Sequence, residues 1–399
     1  MPKTKSGGLA TVPDAYQGRE QAFIKHELLK AYLEKLFLII GMSSSRLGIS
    51  ELCYVDCFAG PWSAANESLS DTSIGVSLRI LDKCQKELTK RNVKLRFRAL
   101  YVEKDSSAFQ KLDKFLSEHT PEGIDSKALP GDFVGLRSDV LKWCGSGAFA
   151  FFFIDPTGWK EVSVEALKPL LQRRLSEFLI TFMYDFVNRT ASMIEWKKEI
   201  ADLLGEAVEM GDLDPKQREK ALLNTYRKNL KHEFPSGVRA RSAYVRVLDR
   251  KKERPKYHLV YMTSHPRGIT EFMEISENID LVQKQVRASA KQADREAKTG
   301  MRDMFRAETL AANEDHTSLA EVERYWTHYL SEGVRRVDEE AFANMLEETD
   351  WFPGDFQRAL KHLIDTGEVR NLDAPRARPK HPLHWQKNGE RLELTENAK

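Results

Sequence analysis

A doubly wound α/β fold is what this sequence predicts, and three observations predict it. Apolar runs at residues 52–58, 97–103 and 149–154 are continuous rather than alternating. Acidic residues stand at or beside their ends, at Asp56, Glu103 and Asp155, and segments with helical periodicity lie between the runs. Strands apolar on both faces, alternating with helices, mark a parallel sheet covered on each side.

The elements follow in order. Residues 1–18 are rich in Gly, Lys, Thr and Pro and are expected to be flexible. From Arg19 to Ile40, Phe23, Leu28, Leu29, Tyr32, Leu33, Leu36 and Phe37 recur at helical spacing, and Gly41 is expected to stop the helix. ELCYVDCFAGPW supplies a buried strand feeding a tight turn, and IGVSLRILDKC the helix after it. RFRALYVEKD gives a second strand, followed by the helical SSAFQKLDKFLSEH, and a weaker strand stands near Ala128 and Leu129. GAFAFFFIDPTGW is the strongest strand, VEALKPLLQRRL a helix, and EFLITFMYDF a strand over 177–184. A charged helical insertion spans about 190–235, and SAYVRVLD and YHLVYMTS flank RKKERPK as an antiparallel hairpin with a basic tip.

Five parallel strands closed by such a hairpin are the inventory of a seven-stranded Rossmann-like methyltransferase sheet. The right-handed crossover rule leaves few other assemblies. The α/β domain is therefore expected over 19–280, and a charged, exposed helical connector over 281–317. Residues 318–399 offer helical patterns at 318–330, 338–347 and 354–365, then the strand candidates EVRNL and RLELT, which describe a winged-helix-like domain.

Composition narrows the function classes only a little. Lys+Arg number 62 and Asp+Glu 60, so any electrostatic footprint must be local. Cys53, Cys57, Cys84 and Cys144 are too few and too scattered for a disulfide framework, and no Cys/His set completes a zinc site, so no metal is expected. No run approaches eighteen apolar residues and the amino terminus has no apolar h-region, so the expectation is a cytoplasmic protein without a membrane partner.

In an open α/β sheet the ligand settles at the carboxyl ends of the strands. The first junction, DCFAGPW, carries Asp56, Phe58, Gly60 and Pro61, with one glycine where a dinucleotide loop has three. Such a turn suits a ligand without a pyrophosphate, S-adenosylmethionine among them. Glu103 ends the second strand, where a carboxylate accepts ribose hydroxyls. Asp132 and Phe133 follow the third strand as an adenine-edge candidate, although an acid after glycine is also common in turns. The fourth junction, IDPTGW, sets Asp155 and Pro156 at the mouth as candidate catalytic residues, with Trp159 as the aromatic that would stack on an acceptor base. This is not the Asp-Pro-Pro-aromatic motif of amino-group methyltransferases, and no cysteine is placed for a cytosine-C5 mechanism. Tyr184 ends the fifth strand. Arg250, Lys251, Lys252 and Arg254 at the hairpin tip are candidate phosphate contacts, or a solvated turn that blocks aggregation. Arg370, Arg376, Arg378, Lys380 and Lys387 cluster around the expected wing, which would bind nucleic acid or dock a protein.

HELLKAYLEKL, YVDCFAGPW, FFFIDPTGWK, ITFMYDFVNR and YHLVYMTSHPRG, in that order over residues 26 to 268, resemble the three-Cys-motif partner protein family. The resemblance implies a class I methyltransferase-like protein encoded beside a three-cysteine-motif protein. It places Asp56, Phe58 and Gly60 in the first ligand motif and Asp155-Pro156 in the fourth. The expected function is S-adenosylmethionine-dependent methyl transfer to DNA or RNA in company with that partner. The alternative is a catalytically silent specificity subunit.

Overall fold

A computed structural model of the chain describes residues 12–60, 69, 71–191, 193–209, 211–250, 252–299, 317–374, 378 and 380–396. They separate into two compact units, 12–264 and 265–396.

The first unit is built on seven strands. Chain order gives α1 (Glu20–Met42), α2 (Ser44–Leu47), β1 (Glu51–Asp56), α3 (Ser73–Lys90), β2 (Arg96–Glu103), α4 (Ser106–His119), β3 (Ile124–Pro130), α5 (Phe133–Cys144), β4 (Phe149–Ile154), α6 (Val164–Leu171) and β5 (Ser176–Phe182). Then come α7 (Tyr184–Thr190), α8 (Lys197–Leu204), α9 (Pro215–His232), β6 (Arg241–Leu248) and β7 (Pro255–Thr263). The sheet order is β3-β2-β1-β4-β5-β7-β6, a doubly wound seven-stranded sheet as the strand inventory predicts. β1 to β5 are parallel, and β7 runs antiparallel to both β5 and β6.

The central strands β4 and β5 are buried along their whole length, as continuous apolar strands should be. Phe152 and Phe178 stack at their centre, ring centroids 5.2 Å apart. Each such side chain removed from water contributes about 1.5–3 kcal/mol. Polar caps fix where the flanking helices start. Thr72, Asp105, Asp132 and Ser163 each accept a backbone N–H from the first turn of α3, α4, α5 and α6.

Several expectations change. Asp14–Tyr16 forms a 3-10 turn, with Tyr16 buried and its ring 5.4 Å from that of Phe23, so this part of the stretch expected to be flexible is ordered; residues 1–11 lie outside the described ones. Gly41 does not end α1. It is helical, and a Cβ there would overlap Leu88 Cδ1, so its role is close approach of α1 to α3. The 190–235 insertion is not one helical run. Gly205, at φ +84°, ends α8, and Asp214 starts α9 with a capping box. The fifth strand stops at Phe182, because the chain turns helical at Tyr184.

The second unit begins with α10 (Pro266–Thr299), which passes through the expected boundary at 280 without a break. Gln283, Val286 and Arg287 are buried, so this stretch is not an exposed connector; residues 300–316 lie outside the described ones. After it come α11 (Leu319–Leu330), β8 (Arg335–Val337), α12 (Glu339–Thr349), α13 (Pro353–Asp365), β9 (Val369–Asn371) and β10 (Glu390–Leu394). The strands form an antiparallel sheet in the order β8-β10-β9, and β8 is a strand the sequence patterns do not mark. Trp326, Phe342, Phe356 and Leu392 form its core, and α10 packs on α12 and α13.

Candidate active site

The carboxyl ends of β1 to β5 open onto one cavity of about 690 Å³, inside the usual range for small-molecule sites. Hydrogen bonds from the loops to neighbouring strands hold its rim. Cys57 N–H donates to Phe153 O (2.9 Å), Ala59 N–H to Val102 O (2.9 Å) and Gly131 N–H to Glu103 O (2.9 Å). Of the expected site residues, Phe58, Gly60, Glu103, Asp132, Phe133, Asp155 and Pro156 line this one cavity. Gly60 has φ +75°, and a Cβ there would meet only Phe58 O, at 3.9 Å, so its requirement is conformational. Pro61 lies outside the described residues.

Asp56 departs from its expected role. It is fully buried and is not part of the cavity wall. Ser73 Oγ donates to its Oδ2 (2.6 Å) and Phe58 N–H to its Oδ1 (3.2 Å), so it ties the first loop to the start of α3. Burial pushes its carboxyl up to about 7 against the opposing pull of those two bonds. Glu103 is buried but borders the cavity, and its Oε1 accepts Asp105 N–H at 2.7 Å. Asp132 spends Oδ2 on Gly135 N–H (3.2 Å) as the cap of α5, and the buried Phe133 ring lies 5.2 Å from Phe58.

Asp155 is not an open carboxylate. Its Oδ2 accepts a hydrogen bond from the Lys25 ammonium, which also lies 5.6 Å from the Tyr257 ring centroid. Two bonds fix α1 against the sheet so that Lys25 reaches this point. Tyr257 Oη donates to Gln21 O (2.8 Å), and Tyr32 Oη to Glu177 Oε2 (2.8 Å). His26, next on the helix, also lines the cavity, its Nδ1 3.0 Å from the Tyr16 hydroxyl. Burial, aided by the Lys25 charge, lowers its imidazole to about 3, so it is neutral near pH 7.

The remaining expected site residues stand elsewhere. Trp159 stacks on Phe186 (5.5 Å) and meets Trp196 edge-on (6.0 Å), which takes its ring away from the cavity wall. Tyr184 is buried with its ring 5.0 Å from His258 and does not line the cavity. At the hairpin tip Arg250 pairs with Glu20 (3.0 Å) and Arg254 with Asp185 (3.1 Å), while Lys252 N–H donates to Asp249 Oδ1 (3.0 Å). None of these three lines the cavity, and Lys251 lies outside the described residues. The hairpin residues that do line it are Lys256 and Tyr257, at the start of β7.

The cluster around the expected wing is likewise less basic than its sequence. Arg370 pairs with Glu393, and Arg378 with the buried Glu390 (2.7 Å); Arg376 lies outside the described residues, and Lys380 and Lys387 are exposed. Asp373, between them in the chain, holds Arg391 (2.7 Å).

Sequence patterns missed Arg19, Lys25, His26, Asp71 and Thr181 in the cavity wall. The available signal was Lys25-His26 following directly on the apolar Phe23 and Ile24 of α1. The four cysteines are buried free thiols. Among the described residues no helix is long and apolar enough to cross a membrane.

No family model and no curated protein matches the sequence. Solved structures that resemble it include a Legionella pneumophila protein of the DUF519 family, at 12% identity and TM-score 0.37, covering 70% of this chain and 94% of that one. A Bacillus cereus O-methyltransferase in complex with SAH aligns at 9% identity and TM-score 0.27, covering 57% and 80%. The precorrin-6y C5,15-methyltransferase of Geobacter metallireducens aligns at 12% identity and TM-score 0.25, covering 57% and 84%.

Proposed function

We propose that the first unit is an S-adenosylmethionine-dependent methyltransferase. The observation that carries this is the convergence of Glu103 and Asp155, from different strand ends of a methyltransferase-type sheet, on one nucleoside-sized cavity. The wall also fits a polar ligand. Asp71 Oδ1 and Thr181 Oγ1 are buried there without a hydrogen-bond partner among the described residues, and native interiors rarely leave such atoms unmatched.

In this reading Glu103 accepts the ribose hydroxyls, and the Gly131–Phe133 turn borders the adenine. S-adenosylmethionine, when bound, supplies an electrophilic methyl group. Asp155 and Pro156 orient the acceptor, and Asp155 takes a hydrogen bond from the acceptor's N–H or O–H while Lys25 fixes the carboxylate. Positioning rather than covalent catalysis supplies the acceleration. Calorimetry of the full chain with S-adenosylhomocysteine tests the reading. Micromolar-range binding is expected, weakened about tenfold or more by Glu103→Ala in a protein that still melts cooperatively. Absence of binding to the wild type overturns it.

The acceptor class and partner are further parts of the proposal. The five-block resemblance supports a three-cysteine-motif partner; action on nucleic acid draws on the Asp155-Pro156 strand end, and the arginine pairings above mean that the charge of the hairpin tip and of the expected wing adds little to it. Filter binding that weakens steeply with salt, together with co-purification of the two proteins, tests both. A second reading, a silent specificity subunit, draws on Thr157-Gly158 standing where an amino-group methyltransferase has Pro-aromatic. It predicts S-adenosylhomocysteine binding with no methyl transfer to any polynucleotide.

A further inference from the structure

The cavity holds a charged pair that the strand-end reading does not use. Arg19, the residue preceding α1, and Asp71, just before the cap of α3, both line it. Arg19 Nη2 donates to Asp71 Oδ2 and to Ala15 O (2.7 Å), while the guanidinium remains partly exposed. The Asp71 side chain is only 2% exposed, yet its Oδ1 has no hydrogen-bond partner among the described residues.

Among the described residues, three neighbouring donors are committed elsewhere. Thr72 Oγ1 donates to Leu69 O (2.8 Å), Ser73 Oγ to Asp56 (2.6 Å) and Lys25 to Asp155. A buried carboxylate oxygen without a donor is costly, and a site keeps one where a ligand completes it. The missing group is a donor, and a cationic one matches the charge best. Beside it, the Arg19 guanidinium offers N–H groups in a fork suited to a carboxylate. A cation and an anion held together match a ligand end that carries both charges.

We infer that Arg19 and Asp71 clamp the α-amino-acid end of the ligand, its ammonium on Asp71 Oδ1 and its carboxylate on Arg19. The inference rests on the reading of the cavity as an S-adenosylmethionine site and names the residues that select the amino-acid tail. The cavity then discriminates against thioethers of adenosine that lack that tail.

The test is calorimetric titration of the full chain with S-adenosylhomocysteine and with 5′-methylthioadenosine, which has no amino-acid end. The wild type should prefer the former by about 10- to 100-fold, the span of a charged hydrogen-bonded contact or two. Asp71→Asn and Arg19→Gln should each remove most of that preference while leaving 5′-methylthioadenosine affinity within about twofold. A wild type that binds neither ligand overturns the cavity reading itself. Equal affinity for both ligands, or a preference that survives in the variants, overturns the clamp alone. If Asp71→Asn does not fold, Arg19→Gln decides the matter, because its guanidinium is partly exposed.

Discussion

Lys25 of α1 carries its ammonium onto the Asp155 carboxylate at the end of β4, 130 residues along the chain. Both side chains are mostly buried, at 12% and 21% exposure, so the pair is screened less than a surface ion pair. Removing one partner leaves the other charge half-buried without its match. Lys25→Met is expected to cost about 1–3 kcal/mol in denaturant unfolding. Lys25→Met/Asp155→Asn should cost less than the two single changes added together. Strict additivity in this cycle would show that the pair contributes nothing to stability.

The buried Asp56 makes a prediction about pH. Its folded carboxyl lies at about 7, above the ordinary 3.8. Between those values the folded state keeps a proton that the unfolded state releases. Stability from this group is therefore fully present below about pH 4 and is lost as pH rises through about 7. The loss is on the order of a few kcal/mol. Asp56→Asn cannot ionise, so its stability relative to the wild type should rise between pH 5 and pH 8 in urea titrations. A difference between the two proteins that stays flat over that interval would contradict the burial argument.

Legibility in the sequence tracked how local each cause was. β1, β2 and β4 are marked because a strand buried on both faces must be apolar at every position, and their terminal acids follow directly. β3, with the sequence IDSKALP and mixed burial, barely registers, and β8 is a three-residue strand between helices with no run to detect. Gly41 has a cause the sequence could not show: α1 ends one residue later, at Met42, and the close approach of Leu88 leaves no room for a Cβ at Gly41. In the site, strand-end residues were legible because topology alone delivers them. Lys25, His26 and Arg19 were not, because only tertiary packing decides which face of α1 meets the strand ends. The tip arginines were misread for a related reason: Glu20 and Asp185, which neutralise two of them, are distant in sequence.

Thr181 lines the cavity with a hydroxyl that is buried and unmatched. Thr181→Val keeps the shape and removes the unsatisfied polar atom, so the fold should gain up to about 1 kcal/mol. If a ligand polar group completes that hydroxyl, the same change weakens ligand binding. The expected pattern is a raised Tm without ligand and a smaller Tm increase on adding saturating S-adenosylhomocysteine. A lowered Tm without ligand would show that the hydroxyl has a partner in the folded protein.

In the second unit, Gly367 and Gly389 share a left-handed backbone, at φ +77° and +61°, but differ in their surroundings. A Cβ at Gly367 meets nothing within 4 Å, so Gly367→Ala bears only the conformational cost of about 1–2 kcal/mol. A Cβ at Gly389 would overlap Val337 O and come 2.5 Å from Asp338 Cα, both backbone atoms that no rotamer change relieves. Glu390, which follows it, accepts from Asn371 Nδ2 (2.9 Å) and His384 N–H (2.9 Å), so displaced backbone there also disturbs a buried carboxylate. Gly389→Ala should therefore destabilise this unit by more than about 3 kcal/mol, beyond the conformational cost by itself. Chemical denaturation of the full chain, followed through the tryptophans of the second unit, measures both variants. Equal losses for the two would mean that β8 and β10 do not approach as closely as the Gly389 contacts require.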